Sequence, residues 1–250
     1  MDKFIDNIKK AKVISKPFDH IIVDNLLSES FYTDLSKELE GVDLLHIESQ
    51  RGFDISSYGG PDRLAVDITN YSSWEGSERT IPTTLHQDHY GVILSRGLSN
   101  IQLFINSLLR GEEDFYSALH SKLVTEKFQK KYFFHISMIK DKTRYEIKPH
   151  TDDEQNIFTI LFYAPETEAN KQFGLNIFEE KGEVPIDTDS LGQRNLELSK
   201  RVDFIPNRMI AFAPSSEGGQ RNATWHGVSS LTDELIGSRN SFQMFFYRSN

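Results

Sequence analysis

The sequence has eight histidines, 37 carboxylates and no cysteine. Any metal site must therefore be made from imidazole nitrogen and carboxylate oxygen, ligands that suit hard or borderline ions. Three His-x-acid pairs occur, His46/Glu48, His86/Asp88 and His150/Asp152. Eight His and an acidic fraction of 37/250 supply about 1.2 such pairs by accident, so the pair alone decides nothing and context must. His150 and Asp152 lie in RYEIKPHTDDEQNIFTILFYA, between β-prone runs. Residues two apart in a strand point to one face, where both could grip one ion. His226, in TWHGVS, sits on another short run. Thirteen residues later, Arg239 and Ser241 open the aromatic run SFQMFFY and share a face. A guanidinium fork and a hydroxyl there could hold a carboxylate.

Each of these residues also has a plainer reading. His150 and Asp152 could be a solvated pair beside the acidic stretch DDEQN. His226 could be a packed histidine next to Trp225, and Arg239 a solvated charge at a strand end. His86, Asp88 and His89 in LHQDH are the rival ligands, but no strand context surrounds them, and they read as a loop near a substrate mouth. The order of the 150, 152, 226 and 239 set on β-prone runs favours the metal reading. Two imidazoles and one carboxylate would leave coordination positions open, as in the triad of non-haem iron oxygenases.

Positioning such a set requires rigid elements, and the sequence divides near Tyr132. Before it, FDHIIV (18–23) is a short β-prone run, and Ser28 is an N-cap for a helix ending near Gly41. Residues 51–90 are polar and turn-rich, with little periodicity. Leu94, Leu98, Ile101, Ile105 and Leu108 recur at helical spacing, and a second helix is expected over 113–129. After Tyr132 come YFFHISMI, IFTILFYA, FGLNIF, RMIAFA, TWHGVS and SFQMFFY, separated by turn signals. The expected class is α+β, an antiparallel β sandwich or barrel in the second half packed on helices from the first. The charged stretch 179–203 reads as a solvated insertion, with a flap over the site as its functional alternative.

The series HTD (150–152), TWHGVS (224–229) and GSRNS (237–241) resembles the Fe(II)/2-oxoglutarate-dependent oxygenase superfamily. KPHTD followed by TILFY and FGLNIF looks most like its prolyl-hydroxylase-like branch. The resemblance covers about residues 132–248. It implies a double-stranded β-helix (a jelly-roll, cupin-like barrel) over 132–250, with 1–131 as helix-rich support and substrate mouth, in one domain spanning 1–250. It implies that His150, Asp152 and His226 bind Fe(II), and that Arg239 pairs with the distal carboxylate of 2-oxoglutarate, assisted by Ser241. Tyr145 is a further cosubstrate candidate, because the branch often has a Tyr shortly before H-x-D. Strand parity would turn Tyr145 away from His150 unless a bulge at Lys148–Pro149 intervenes. The implied reaction consumes O2, releases succinate and CO2, and uses ascorbate as a supporting reductant. Asp152 stands where the superfamily's halogenases have Gly or Ala, which favours hydroxylation.

Composition bounds the alternatives. The absence of Cys excludes disulfide scaffolds, zinc fingers, iron–sulfur clusters and thiol nucleophiles. A net charge of −9 argues against nucleic acid as a partner and against anionic membranes. No apolar run approaches a membrane span or a signal h-region, so a cytoplasmic location is expected. The expected substrate is a small polar metabolite such as an amino acid, acted on at an unactivated C–H bond. A peptidyl side chain of prolyl type is the alternative. A non-redox cupin-like metalloenzyme ranks lower, because no His-x-His pair exists.

Overall fold

The computed structural model describes residues 2–42, 62–69, 93, 97–124, 132–152, 155–181, 195–214 and 223–248. His46/Glu48, His86/Asp88 and His89 lie outside these residues, as do most of 51–90 and the middle of 179–203. In chain order the elements are α1 (Asp2–Lys10), β1 (Val13–Ile14), β2 (His20–Val23), α2 (Glu29–Gly41), β3 (Arg63–Asp67), α3 (Ser99–Arg110) and α4 (Glu112–Leu123). There follow β4 (Tyr132–Asp141), β5 (Ile147–His150), β6 (Asn156–Tyr163), a 3-10 turn (Glu168–Phe173), β7 (Leu175–Glu180), β8 (Leu196–Val202), β9 (Arg208–Phe212), β10 (His226–Val228) and β11 (Arg239–Arg248).

The strands form two antiparallel sheets. The larger runs β1-β2-β9-β6-β11-β4-β3, the smaller β5-β10-β7-β8. Three strands of the larger sheet come from before residue 132. One of them, β3, lies inside the polar stretch that shows little periodicity, because only Leu64 and Val66 of its alternating pattern are buried.

Alternation along β11 sorts its side chains between two cores. Phe242, Met244 and Phe246 face the helices, where they join Phe104 of α3 and Phe115 of α4. The helices reach this face through apolar stripes such as Ile101, Phe104, Ile105 and Leu108. Glu38 of α2 accepts the backbone N–H groups of Asn100 (2.9 Å) and Ile101 (2.9 Å) at the start of α3. That satisfies donors a helix start leaves bare and sets a carboxylate on its positive end. The second core lies between the sheets, with Leu161, Tyr163, Ile210 and Phe212 opposite Leu175, Ile177, Val202 and Val228. Because both faces of β6 are covered, all eight of its residues are buried. Among the described residues no helix is long and apolar enough to cross a membrane.

Candidate metal centre

Antiparallel register lays out the inward face of the larger sheet in rows. Arg63, Asp141 and Arg239 form one row across β3, β4 and β11. Two residues further in, Ala65, Ile139, Ser241 and Tyr163 follow, then Asp67, Ser137, Gln243 and Leu161. The next row is His135, Phe245, Thr159, Phe212 and His20.

His150 and His226 are paired residues of neighbouring strands in the smaller sheet. Across that pairing Ile147 opposes Val228, so three steps on β5 match two on β10, and the extra residue falls at Lys148–Pro149. A bulge on an edge strand tolerates the proline, which cannot donate to the ladder. Gly227 lets the strands meet, since a Cβ there would lie 2.6 Å from the Ile147 carbonyl oxygen.

The Nδ1 of His150 lies 2.9 Å from the Lys148 carbonyl oxygen, and that of His226 lies 2.8 Å from the Thr224 carbonyl oxygen. A carbonyl only accepts, so both Nδ1 atoms carry the proton and both Nε2 atoms present lone pairs. Those Nε2 atoms lie 3.7 Å and 3.6 Å from Oδ1 of Asp152. The other oxygen, Oδ2, accepts a hydrogen bond from the Thr159 hydroxyl, which in turn accepts from the Asn156 amide at 2.7 Å. Phe212 meets the His226 ring edge-on at 4.7 Å. Burial and the neighbouring His226 hold His150 below the ordinary histidine value, which favours the neutral imidazole a metal requires. The ligand atoms of His150, Asp152 and His226 all lie within 4.8 Å of one another. This donor set fits a divalent transition metal, since every ligand is oriented by a second bond and free lone pairs converge.

Arg239 lies elsewhere, at the opposite end of the inward face, and is 2% exposed. Its Nε donates to the Phe173 carbonyl (2.8 Å) and its Nη1 to Asp141 (2.7 Å), while Tyr163 and Phe204 flank the guanidinium. Burial opposes its charge, but Asp141, Tyr163 and Tyr145 outweigh burial and hold its pKa above the ordinary value. Arg63 donates to the same carboxylate through Nε (2.6 Å) and Nη2 (3.1 Å). Two guanidiniums share one carboxylate, so the cluster carries one excess positive charge in a buried setting, which suits an anionic ligand. Ser241 is buried one row inward. Tyr145 precedes β5 in a turn, outside strand parity, with its ring under Arg63 at 4.1 Å. Burial and Asp141, opposed by the two arginines, push its phenol up to about 12. The structure thus brings Tyr145 to the Arg239 cluster and not to the histidines. Sequence reasoning missed Asp141, Arg63 and Thr159, whose roles arise from register between strands and leave no local spacing to find.

No family model matches the sequence, and no curated protein matches it. Among solved structures, a Pseudomonas putida prolyl-4-hydroxylase aligns over 98% of this chain and 97% of its own, with 10% identity and a TM-score of 0.49. The chain is similar in structure to 2OG-Fe(II) oxygenases. An oxidoreductase of that family from Burkholderia pseudomallei aligns over 88% of this chain and 91% of its own, at 13% identity and a TM-score of 0.42. HygX from Streptomyces hygroscopicus, with nickel, 2-oxoglutarate and hygromycin B bound, aligns over 92% of this chain and 83% of its own, at 8% identity and a TM-score of 0.46. At these identities and scores the likeness is one of chain path and assigns no residue a role.

Proposed function

We propose that this chain is an Fe(II)/2-oxoglutarate-dependent dioxygenase that hydroxylates an unactivated C–H bond of a small polar molecule. One observation carries the reading. Two Nε2 lone pairs and one carboxylate oxygen converge, and each ligand is locked by a second hydrogen bond. The same residues carry the sequence resemblance to the superfamily, and the two facing antiparallel sheets fit its double-stranded β-helix.

His150, Asp152 and His226 would hold the iron. When bound, iron and 2-oxoglutarate supply oxygen activation coupled to oxidative decarboxylation, which yields succinate and CO2. Arg239 would pair with the distal carboxylate of the cosubstrate, with Ser241 beside it on the same strand face. Asp141 and Arg63 keep Arg239 oriented without cancelling its charge, since two cations face one anion. Tyr145 lines the same end, and its raised pKa keeps the phenol protonated at neutral pH, able to donate to an anion. Tyr163, Phe204 and Phe212 are fully buried and exclude water between the two ends.

The test is conversion of 2-oxoglutarate to succinate in the presence of Fe(II) and ascorbate. Wild-type protein should show it, at least as slow uncoupled turnover, and His150→Ala should abolish it. A wild-type protein that binds no Fe(II) and consumes no 2-oxoglutarate with a broad set of small polar substrates would contradict the reading.

A further inference from the structure

The inward face of β11 is closed at one end and open at the other. Arg239 and Ser241 are 2% exposed, whereas Gln243, Phe245 and Tyr247 are half-buried. The change falls where the strand comes level with the metal centre. Phe245 is the register partner of Thr159, which anchors Asp152. Gln243 lies diagonal to Thr159, roughly 7–8 Å away at the usual spacing of a sheet. On the other side of Thr159 stands Phe212, which meets the His226 ring. His135, Thr159, Phe212 and His20 of this row are all buried, so Phe245 is where the row meets solvent.

Gln243 and Phe245 each have a property that the proposed reaction does not use. Among the described residues the Gln243 carboxamide makes no hydrogen bond. Its register partners are committed elsewhere. Leu161 is apolar, and the Ser137 hydroxyl bonds Asp67 and His135, each at 2.8 Å. Phe245 continues a flat tile of rings, with His135 at 6.2 Å and Tyr247 at 5.4 Å, inclined to it by 25° and 27°.

A primary carboxamide offers a donor and an acceptor side by side on one edge. Another amide edge satisfies both at once. A carboxylate leaves the Gln243 Oε1 facing an acceptor, and an amidinium leaves Nε2 facing a donor, so either one strands a desolvated polar group. The ring beside Gln243 admits the same partner, because an amide is flat and carries no full charge to desolvate.

We propose that Gln243 and Phe245 form the substrate subsite of the metal centre, and that the substrate presents a neutral amide plane to it. The amide bonds edge to edge with Gln243 and rests on Phe245. The proposal rests on the metal reading above and names the substrate class of that site. A C–H bond on the amide-bearing skeleton is thereby held in the space between the sheets into which His150, Asp152 and His226 converge. A glutamine that only filled space on β11 would not distinguish flat isosteres by the edge they present.

Benzamide, benzoate and benzamidine share one flat shape and differ in that edge, so ligand-observed NMR titrations of the full chain test the claim. Acetyl-glycine methylamide, against the depsipeptide with esters in place of both amides, supplies the peptide arm. The wild type should bind at least one amide about tenfold or more tightly than its mismatched counterparts. Gln243→Leu should erase that preference, and Gln243→Glu, which presents two acceptors, should turn the ring series toward benzamidine. Phe245→Leu should weaken the preferred amide about tenfold without changing the order. The arm that binds separates a free carboxamide from a peptide bond. Equal affinity within both series, no binding of either amide, an unchanged order in Gln243→Glu, or an unweakened amide in Phe245→Leu would overturn the proposal. A wild type that prefers amides but binds no Fe(II) would contradict the metal reading instead.

Discussion

On the helix side of β11, Phe242, Met244 and Phe246 pack on other rings, while on its opposite side the same strand presents Arg239, Ser241, Gln243 and Phe245. Both faces are largely buried, so burial alone does not explain the polar one. The helix-side face gains its stability from apolar area, with Phe246 meeting Phe115, Phe134 and Tyr116. The inward face instead buries Arg239, Asp141, His135 and Ser137, groups whose desolvation is unfavourable and must be offset by pairing. A fold that needed only stability would use apolar residues on both sides. The polar face gives up stability, as the proposed metal and cosubstrate sites would require.

That contrast is broken most severely on the helix side. Phe246→Ala should lower unfolding free energy by about 3–5 kcal/mol in denaturant titrations, with Fe(II) affinity of the folded fraction unchanged. A loss below about 1 kcal/mol would show that this face does not carry the stability. On the inward side, Asp141→Asn leaves Arg63 and Arg239 facing each other without a counter-charge. It should cost about 3 kcal/mol. Because the missing charge is anionic, 2-oxoglutarate should then raise the melting temperature more in this variant than in wild type; an equal rise would place the cosubstrate elsewhere.

Thr159→Val removes the hydroxyl that donates to Asp152, and Fe(II) affinity should fall about 10–100-fold with little change in melting temperature. His20 gives a pH signature. Burial, and then the Lys200 charge, lower its pKa against the opposing pull of the Phe18 carbonyl and Asp19, and among the described residues its buried Nε2 has no hydrogen-bond partner. Above about pH 6.5 both folded and unfolded states hold it neutral, and it contributes no slope. As pH falls through that value the unfolded chain takes up a proton that the folded chain refuses, so stability is lost from there down to the lowered folded value. Melting curves between about pH 7.5 and 5 should therefore fall less steeply in His20→Gln than in wild type. Parallel curves would show that His20 accepts the proton without cost.

Local spacing made some of this legible. The helical period of Ile101, Ile105 and Leu108 marks α3, and Ser28 stands at the N-cap of α2. HTD, His226 and the RNS segment fall on or beside strands, and the first two converge. The bulge at Lys148–Pro149 is present, but Tyr145 precedes β5, so strand parity does not decide where it points. What stayed hidden depends on register between distant segments. Asp141 meets Arg239 across 98 residues and Arg63 across 78, and Asp67 meets Ser137 across 70. Edge strands were hidden for a second reason. The residues of β8, LELSKRV, are mostly solvated, so their charge reads as an insertion although they pair with β7.

The most direct test is anaerobic Fe(II) titration of the wild type beside His226→Ala, read as the number of ions bound per chain. The account predicts one ion per wild-type chain at a single site, and loss of that site when the His226 Nε2 is removed. Equal stoichiometry and affinity in the two proteins would contradict it.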